Sequence, residues 1–234
     1  LRTASVMSAS TCSLCAFAKS SIGRKLIVAL TGLALVLFLA GHLSGNLLIF
    51  AGRDAFNEYA HFLHTFLHGM GVWIARIGLL ACFALHLVFT VLLTKENKAA
   101  RTAYAREATV QAPKSSLIMI WSGLTILAFV VYHILHFTIR IDSELAELGK
   151  NDPWEMVILG FQDSIVVLFY IIAMTLLCSH LSHGVASIFQ TLGLRTKKTA
   201  SAIKFVSQAY AIIIYVGFLS IPIAIKLFGY GCDK

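Results

Sequence analysis

Four histidines are the residues of this 234-residue chain whose type and spacing best suit chemistry, because each lies in a different apolar segment. They are His42, His86, His133 and His180, separated by 44, 47 and 47 residues. A neutral imidazole is a common metal ligand, and two imidazoles at one height on facing helices can hold a haem iron from both sides. The pattern therefore predicts two bis-histidine metal centres, provided that the helices bring these side chains together.

The elements that would position the histidines are membrane-spanning helices. The chain is 58% hydrophobic and only 13% charged, with a mean hydropathy of +0.82. Five continuous apolar windows exceed the roughly 20 residues that a helix needs to cross a bilayer, and they lack the alternation of a barrel strand. We therefore predict an all-α integral membrane protein with a tail at 1–20 and a membrane domain at 21–230, whose helices span about 22–50, 71–94, 116–140, 156–190 and 205–228.

The depth of the histidines pairs them in two levels. His42 and His133 each lie 16 residues from an inner helix end, near Leu26 and Leu117, which is about 24 Å at 1.5 Å per residue. His86 and His180 lie 7 and 11 residues from the inner ends of their helices, or roughly 10–16 Å. One histidine at membrane depth often only hydrogen-bonds a neighbouring helix. Four of them, paired by level, instead favour two haems within a bundle of four helices.

The basic residues follow the topology of a membrane protein. The net charge of +8 comes from residues concentrated before the first span and in the loops after the second and fourth spans, whereas 140–155 is acidic. This distribution indicates a cytoplasmic N-terminus by the positive-inside rule. The basic loops would form one inner surface that suits anionic lipid or a soluble partner. Because they do not form a basic face of a folded domain, we do not expect nucleic acid as a partner.

Local signals refine the segment ends. Residues 1–20 lack the apolar core of a signal peptide, so we expect a mobile or partner-held tail, and Cys12 and Cys15 supply only two of the four ligands of a structural zinc site. Asp152 before Pro153 and Glu155 has the pattern of a helix N-cap, so we expect the fourth span to begin there and to be unusually long. Residues 53–68 resemble a short interfacial helix.

Other histidines compete for the same roles. His136 follows His133 by three residues and His183 follows His180 by three, so each pair is expected to share nearly one helix face. Depth alone leaves these alternatives open. A separate group, His61, His64 and His68, could form a metal or proton-exchange face, although a solvated interfacial helix explains it more simply.

Several motifs, in this order and spacing, resemble one family over about residues 20–228. They are Ser20-Ser21-Ile22-Gly23-Arg24-Lys25, Gly41-His42-Leu43, Phe56-Asn57-Glu58-Tyr59-Ala60-His61, Leu85-His86, Val131-Tyr132-His133, Ser179-His180-Leu181-Ser182-His183-Gly184 and Phe189-Gln190-Thr191-Leu192-Gly193-Leu194. The family is the single-chain, five-helix, di-haem cytochrome b subunit of succinate:quinone oxidoreductases, which comprise succinate dehydrogenase and fumarate reductase. The motifs at 20–25 and 56–61 look like those of bacterial members of the family, which implies the bacterial cytoplasmic (inner) membrane as the location of the chain.

The resemblance implies a division of labour within a complex. A flavoprotein subunit with FAD would interconvert succinate and fumarate, an iron-sulfur subunit would carry electrons, and this chain would anchor both and exchange electrons with quinone. His86 and His180 would ligate an inner haem b, and His42 and His133 an outer haem b. His136 and His183 would then be accessory residues, in contact with the imidazoles, the propionates or quinone.

The quinone site is expected at either the outer or the inner end of the membrane-spanning helices. Arg76 and Asp163 are isolated charges that we place in the outer parts of the second and fourth spans, where each needs a partner. The inner alternative uses Ser21 and Arg24. The resemblance implies menaquinone as the quinone. Some menaquinol-oxidising relatives carry a glutamate two residues before the fourth-helix ligand, where this chain has Cys178, which favours succinate oxidation over fumarate reduction.

Two other functions fit parts of the pattern. A di-haem cytochrome b subunit of another quinone-linked dehydrogenase would carry the same histidines but bind a different soluble partner. A proton-coupled transporter without haem would use the buried histidines, Arg76 and Asp163 in a proton path.

Overall fold

The computed structural model of the chain describes residues 13–99 and 119–232, most of which are helical. Nine α-helices lie in these residues: α1 (Ser13–Lys19), α2 (Ser21–Leu47), α3 (Arg53–Thr65), α4 (Met70–Ala99), α5 (Met119–His133), α6 (Ser143–Asn151), α7 (Pro153–Gly160), α8 (Ser164–Thr191) and α9 (Ala200–Phe228). A 3-10 helix, Leu48–Ala51, extends α2, and a π-helix, Ile134–Ile139, extends α5.

Within residues 13–99 and 119–232, five segments are helices long and apolar enough to cross a membrane, which confirms the prediction of a helical protein with five candidate spans. They are Ser21–Ala51, Met70–Asn97, Trp121–Ile139, Ser164–Thr191 and Ala200–Phe228. Large apolar side chains cover their outer surfaces, and Trp73, Ile77 and Leu80 on α4 are each more than half exposed. Apolar residues on all sides of a helix are expected where its outer surface faces lipid rather than water.

The helix α8 is the centre of the bundle and packs against α2, α5 and α9. The helix α9 approaches α2 at Gly217, where a Cβ atom would lie 2.7 Å from the Leu43 side chain, so the missing side chain permits the contact. By contrast, α4 packs along α2 and has little direct backbone packing with α5 or α8. The helices α2, α4, α5 and α8 therefore surround an internal space, and α9 supports α8 and α2 from outside.

The fourth apolar segment is divided in two, so the prediction of one long helix from Pro153 is wrong. Asp152 does cap a helix as expected, because its side chain accepts a hydrogen bond from the Glu155 backbone and Pro153 occupies the first turn, but this helix ends at Gly160. The spanning helix begins at Ser164, with Asp163 as its own N-cap. A side chain that accepts backbone N–H bonds starts a new helix rather than continuing the old one.

The segment before the first span also differs from the expected tail. Residues Ser13–Lys19 form α1, which packs against the start of α2. Gly23 permits this contact, since a Cβ atom there would overlap the Phe17 carbonyl oxygen, and the Ser20 hydroxyl caps α2 by accepting from the Gly23 backbone. Cys12 and the basic residues Arg2, Arg101, Arg106 and Lys114 lie outside the described residues.

A short helix was predicted for 53–68, and α3 is a helix within these residues, fixed to the start of α7 by polar contacts. Arg53 forms an ion pair with Asp152, the Asn57 side chain donates to the Asp152 carboxylate at 2.8 Å, and the Trp154 backbone donates to the Asn57 carbonyl at 2.9 Å. Burial alone would raise the pKa of Asp152, but the hydrogen bonds from Asn57, Arg53 and the Glu155 backbone lower this pKa below its usual value.

Replacement of Asp152 tests this network. We expect Asp152→Ala to lower the free energy of unfolding by about 1–3 kcal/mol, because a helix cap and two further hydrogen bonds are lost. Asp152→Asn retains the cap and serves as the matched variant. Since the folded-state pKa of Asp152 is lowered, its charge-dependent stabilisation is complete above about pH 4 and is lost as pH falls through the folded-state value. Thermal unfolding in detergent against pH should show wild type and Asp152→Asn converging in acid, and a constant difference would contradict this.

Candidate functional site

A large cavity of about 1920 Å³ lies between α2, α4, α5 and α8. Its walls are mainly apolar, and all four histidines predicted as ligands line it: His42, His86, His133 and His180. Ordinary ligand pockets measure roughly 300–1,000 Å³. The volume therefore exceeds that of a pocket for one small molecule and suits one very large or two sizeable ligands.

The outer pair of histidines faces across this cavity. The ring centroids of His42 on α2 and His133 on α5 are 5.9 Å apart, and the ring planes are inclined at 83°. Phe38 stacks on His42 with centroids 5.2 Å apart, and Phe129 stacks on His133 at 5.7 Å. The two imidazoles are thus held near each other by aromatic neighbours and not by a direct hydrogen bond between them.

Polar neighbours occupy nitrogen atoms of the outer pair. The Tyr170 hydroxyl on α8 lies 3.1 Å from His133 Nδ1. The Asn46 side-chain amide lies 3.3 Å from His42 Nδ1 and donates to the His42 carbonyl oxygen at 2.7 Å. Because Tyr170 occupies Nδ1 of His133, the Nε2 atom of that ring is the one left for a ligand in the cavity.

The inner pair uses hydrogen bonds of a similar kind. His86 Nδ1 on α4 lies 3.2 Å from the Val28 carbonyl oxygen and 3.3 Å from the Thr31 hydroxyl, both on α2. His180 Nδ1 on α8 lies 3.2 Å from the Ser122 hydroxyl on α5. The rings of His86 and His180 do not contact each other directly, so the inner pair is more open than the outer pair.

His136 and His133 point towards the same partner, as expected for a pair three residues apart. His133 Nδ1 and His136 Nδ1 both contact the Tyr170 hydroxyl, at 3.1 Å and 3.3 Å. His133 lines the cavity and His136 does not, and the π-helix begins between them at Ile134. The helix α8 stays α-helical, so His183 lines the cavity beside His180, but its ring nitrogens have no hydrogen bond in the described structure.

The two isolated charges do not pair with each other. Asp163 is exposed at the start of α8, where its carboxylate accepts from the Ile165 backbone at 2.7 Å, so it is a helix cap and not a charge inside a span. Arg76 lines the cavity, with its guanidinium 5.1 Å from the centroid of the Trp73 ring. Of these two charges, only Arg76 is available to a ligand in the cavity.

The inner alternative for a quinone site is occupied by other contacts. The Arg24 guanidinium forms an ion pair with Glu96 on α4 and donates to the Ala18 carbonyl oxygen at 3.2 Å. Ser21 is exposed at the first turn of α2. Neither residue lines the cavity, whereas the neighbouring Lys25 does.

The histidines of α3 do not form a metal site in the described structure. His64 Nδ1 lies 2.8 Å from the Ala60 carbonyl oxygen of its own helix, and His68 is in a tight turn with a φ of 55°. Within residues 13–99 and 119–232, no three His, Cys, Asp or Glu side chains are grouped closely enough to hold a metal ion.

Sequence reasoning missed three hydroxyl residues that contact the histidines: Thr31, Ser122 and Tyr170. A usable signal was present in the depth count. Thr31 and Ser122 each lie five residues from the inner ends at Leu26 and Leu117, close to the level of His86. The depth of a polar residue within a span is therefore as informative as that of a charged residue.

The outer pair of histidines has the spacing that a haem iron needs. Two imidazole–metal bonds of about 2 Å each place the ligating nitrogens about 4 Å apart, and each ring centroid lies farther from the metal than its nitrogen. Ring centroids 5.9 Å apart therefore leave room for an iron between His42 and His133. The apolar walls suit a macrocycle, and the cationic side chains at the edges of the cavity, Lys25, Arg76 and Lys95, suit carboxylates. Comparison of the chain with protein-family models, with curated proteins and with solved structures finds no match.

Substitution of Gly32 tests the position of the inner pair. A Cβ atom at Gly32 would lie 3.2 Å from His86 Cε1, so Gly32→Leu would push a bulky side chain against that ring. We expect haem bound per chain, measured by a pyridine haemochrome assay, to fall by about half. Gly78→Leu is the matched control on α4, because a Cβ atom there meets nothing within 4 Å. Equal haem content in the two variants would contradict this placement of His86.

Proposed function

We propose that this chain is the membrane-anchor cytochrome b subunit of a succinate:quinone oxidoreductase, in which it carries electrons between an iron-sulfur subunit and membrane quinone. The observation that carries the proposal is the arrangement of four histidines, one on each of four surrounding helices, around one large apolar cavity. The outer pair gives the most specific geometry, because His42 and His133 face each other with ring centroids 5.9 Å apart.

The proposed ligand sets are His42 with His133 and His86 with His180. Bound there, two haem b groups would supply one-electron transfer, and occupation of both axial positions would keep substrates from the iron. The chain's own contribution is to orient the imidazoles through Tyr170, Thr31 and Ser122 and to exclude water with apolar walls. Lys25, Lys95 and Arg76 would neutralise carboxylate groups at the edges of the cavity.

The soluble partners would bind at the ends of the spans that carry Lys25 and Lys95. The Arg24 to Glu96 ion pair joins α2 and α4 at this same end. It would stiffen the surface where an iron-sulfur subunit docks, with the FAD-containing flavoprotein beyond it. Basic side chains there also suit anionic membrane lipid. The N-terminus would be cytoplasmic, and the chain would lie in the bacterial cytoplasmic membrane.

We place the quinone, with menaquinone as the expected type, near Arg76 rather than near Ser21 and Arg24. The Arg76 guanidinium lines the cavity next to Trp73, so it could donate to a quinone oxygen while the indole contacts the ring. Arg24 is already paired with Glu96. Cys178 on α8 offers no carboxylate for proton conduction, which favours succinate oxidation as the direction.

The histidine variants test the ligand assignment. In the wild-type chain, a dithionite-reduced minus oxidised spectrum should show b-type haem, with two haems per chain. We expect His42→Ala and His133→Ala to lose one haem and retain the other, and His86→Ala and His180→Ala to lose the opposite one. His64→Ala is the matched control, because His64 is exposed on α3 and does not line the cavity, and it should retain both haems.

Purification of the intact complex tests the partner assignment. Affinity isolation of the full chain from its native membrane should bring down a flavoprotein and an iron-sulfur protein, with succinate-dependent reduction of the haems. A colourless chain would refute the haem proposal and favour a proton-coupled transporter. Two haems with a different soluble dehydrogenase would retain the cytochrome assignment but refute succinate as the substrate.

A further inference from the structure

Two hydroxyl groups inside the bundle have only one way to contact the inner histidines. The Thr31 hydroxyl donates to the Ile27 carbonyl oxygen at 2.7 Å, and the Ser122 hydroxyl donates to the Met119 carbonyl oxygen at 3.0 Å. Each hydroxyl has a single proton, which its own helix therefore uses. Towards the imidazole, each oxygen can only accept a hydrogen bond.

The proton positions on the inner imidazoles follow from these contacts. His86 Nδ1 faces the Thr31 oxygen and the Val28 carbonyl oxygen, and a carbonyl oxygen cannot donate. His180 Nδ1 faces the Ser122 oxygen. In a neutral imidazole one nitrogen carries the proton and the other a lone pair. Nδ1 of His86 must then carry the proton, because the Val28 carbonyl oxygen can only accept. Because the Ser122 hydroxyl donates to the Met119 carbonyl oxygen, we assign the same form to His180, with the lone pair on Nε2 of both rings.

The same arrangement occurs twice along the chain, which supports a common role. Thr31 precedes His42 by 11 residues on α2, and Ser122 precedes His133 by 11 residues on α5. Eleven residues are about three turns of an α-helix, so the hydroxyl and the histidine share one face. In each half of the chain, the first helix supplies an outer histidine and a hydroxyl, and the next bundle helix supplies the inner histidine that this hydroxyl contacts.

The geometry points to Thr31 and Ser122 as positioning residues that hold the inner histidines, His86 and His180, in the Nδ1–H form, so that their Nε2 atoms are free to bind iron. This inference rests on the proposed function. Acceptors at Nδ1 orient a ligating ring and make it a stronger electron donor to the metal. Loss of the acceptor should therefore weaken the ligand and raise the reduction potential of the inner haem.

The two inner histidines differ in the number of hydrogen-bond partners at Nδ1. His86 keeps the Val28 carbonyl oxygen as an acceptor when Thr31 is changed, whereas Ser122 is the one hydrogen-bond partner of His180 Nδ1 in the described residues. We therefore expect Ser122→Ala to have a larger effect than Thr31→Val. A general disturbance of helix packing would not predict this order.

Redox titration and electron paramagnetic resonance of the purified full-length chain test the inference. Ser122→Ala should shift the midpoint potential of the inner haem upwards and alter its low-spin ferric signal, or weaken haem affinity about 10–100-fold so that only the inner haem is lost. The outer haem should be unchanged in both cases, which shows that the variant is folded. Thr31→Val should give a smaller upward shift, and Ser122→Thr should restore wild-type values.

Thr125→Val is the matched control, because the Thr125 hydroxyl is exposed and donates only to the Trp121 carbonyl oxygen one turn away on α5. Identical potentials, signals and haem content in Ser122→Ala and Thr125→Val, with both haems present, would overturn the positioning role alone. Failure of Ser122→Thr to restore Ser122→Ala would overturn it as well. A wild-type chain without haem would overturn the proposed function and this inference together.

Discussion

Imidazole rings at membrane depth impose the constraint on which the rest of this bundle depends. Hydrocarbon offers no hydrogen-bond partner, so each ring nitrogen must find a protein group or a ligand. In three of the four rings, Nδ1 faces a hydroxyl or carbonyl of a neighbouring helix: Tyr170 for His133, Val28 and Thr31 for His86, and Ser122 for His180. The opposite nitrogen then has the cavity as its remaining environment, which makes the cavity a necessary part of the arrangement.

The packing of the helices also follows from the apolar environment of the membrane. Lipid chains are as apolar as leucine side chains, so helices in a membrane associate through close packing and polar contacts rather than through the hydrophobic effect. The helices α8 and α9 achieve close packing, with Ala173, Ala211 and Ile214 almost fully buried between them. The helix α4 instead follows α2 and leaves a gap towards α5 and α8. Its position depends on packing against α2, on the Arg24 to Glu96 ion pair and on the His86 hydrogen bonds. Under the proposed function it would also depend on the ligand that fills the gap.

The fold was largely predictable because hydropathy and span length depend on local sequence. The cap at Asp152 and the short helix α3 were predictable for the same reason. The break before Asp163 was not predicted, since capping by a side chain competes with helix continuation and only the folded chain shows which prevails. Depth counting brought the right histidines to one cavity, but it assumed α-helical turns. It did not show that Tyr170 contacts both His133 and His136, of which only His133 lines the cavity. Side-chain partners such as Tyr170 depend on helix rotation, which one sequence does not specify.

The two halves of the bundle carry their histidines and hydroxyls in the same order. The histidines of one level therefore come from different halves. The first half, α2 with α4, and the second half, α5 with α8, each contribute one histidine to either level, so neither half contains a complete pair. Hydrogen bonds to hydroxyls join helices within a half, from α4 to α2 and from α8 to α5. Under the proposed function, metal ligation would join the halves, between α2 and α5 and between α4 and α8. A metal site that spans two units couples binding to assembly, so haem binding would then stabilise the contact between the halves.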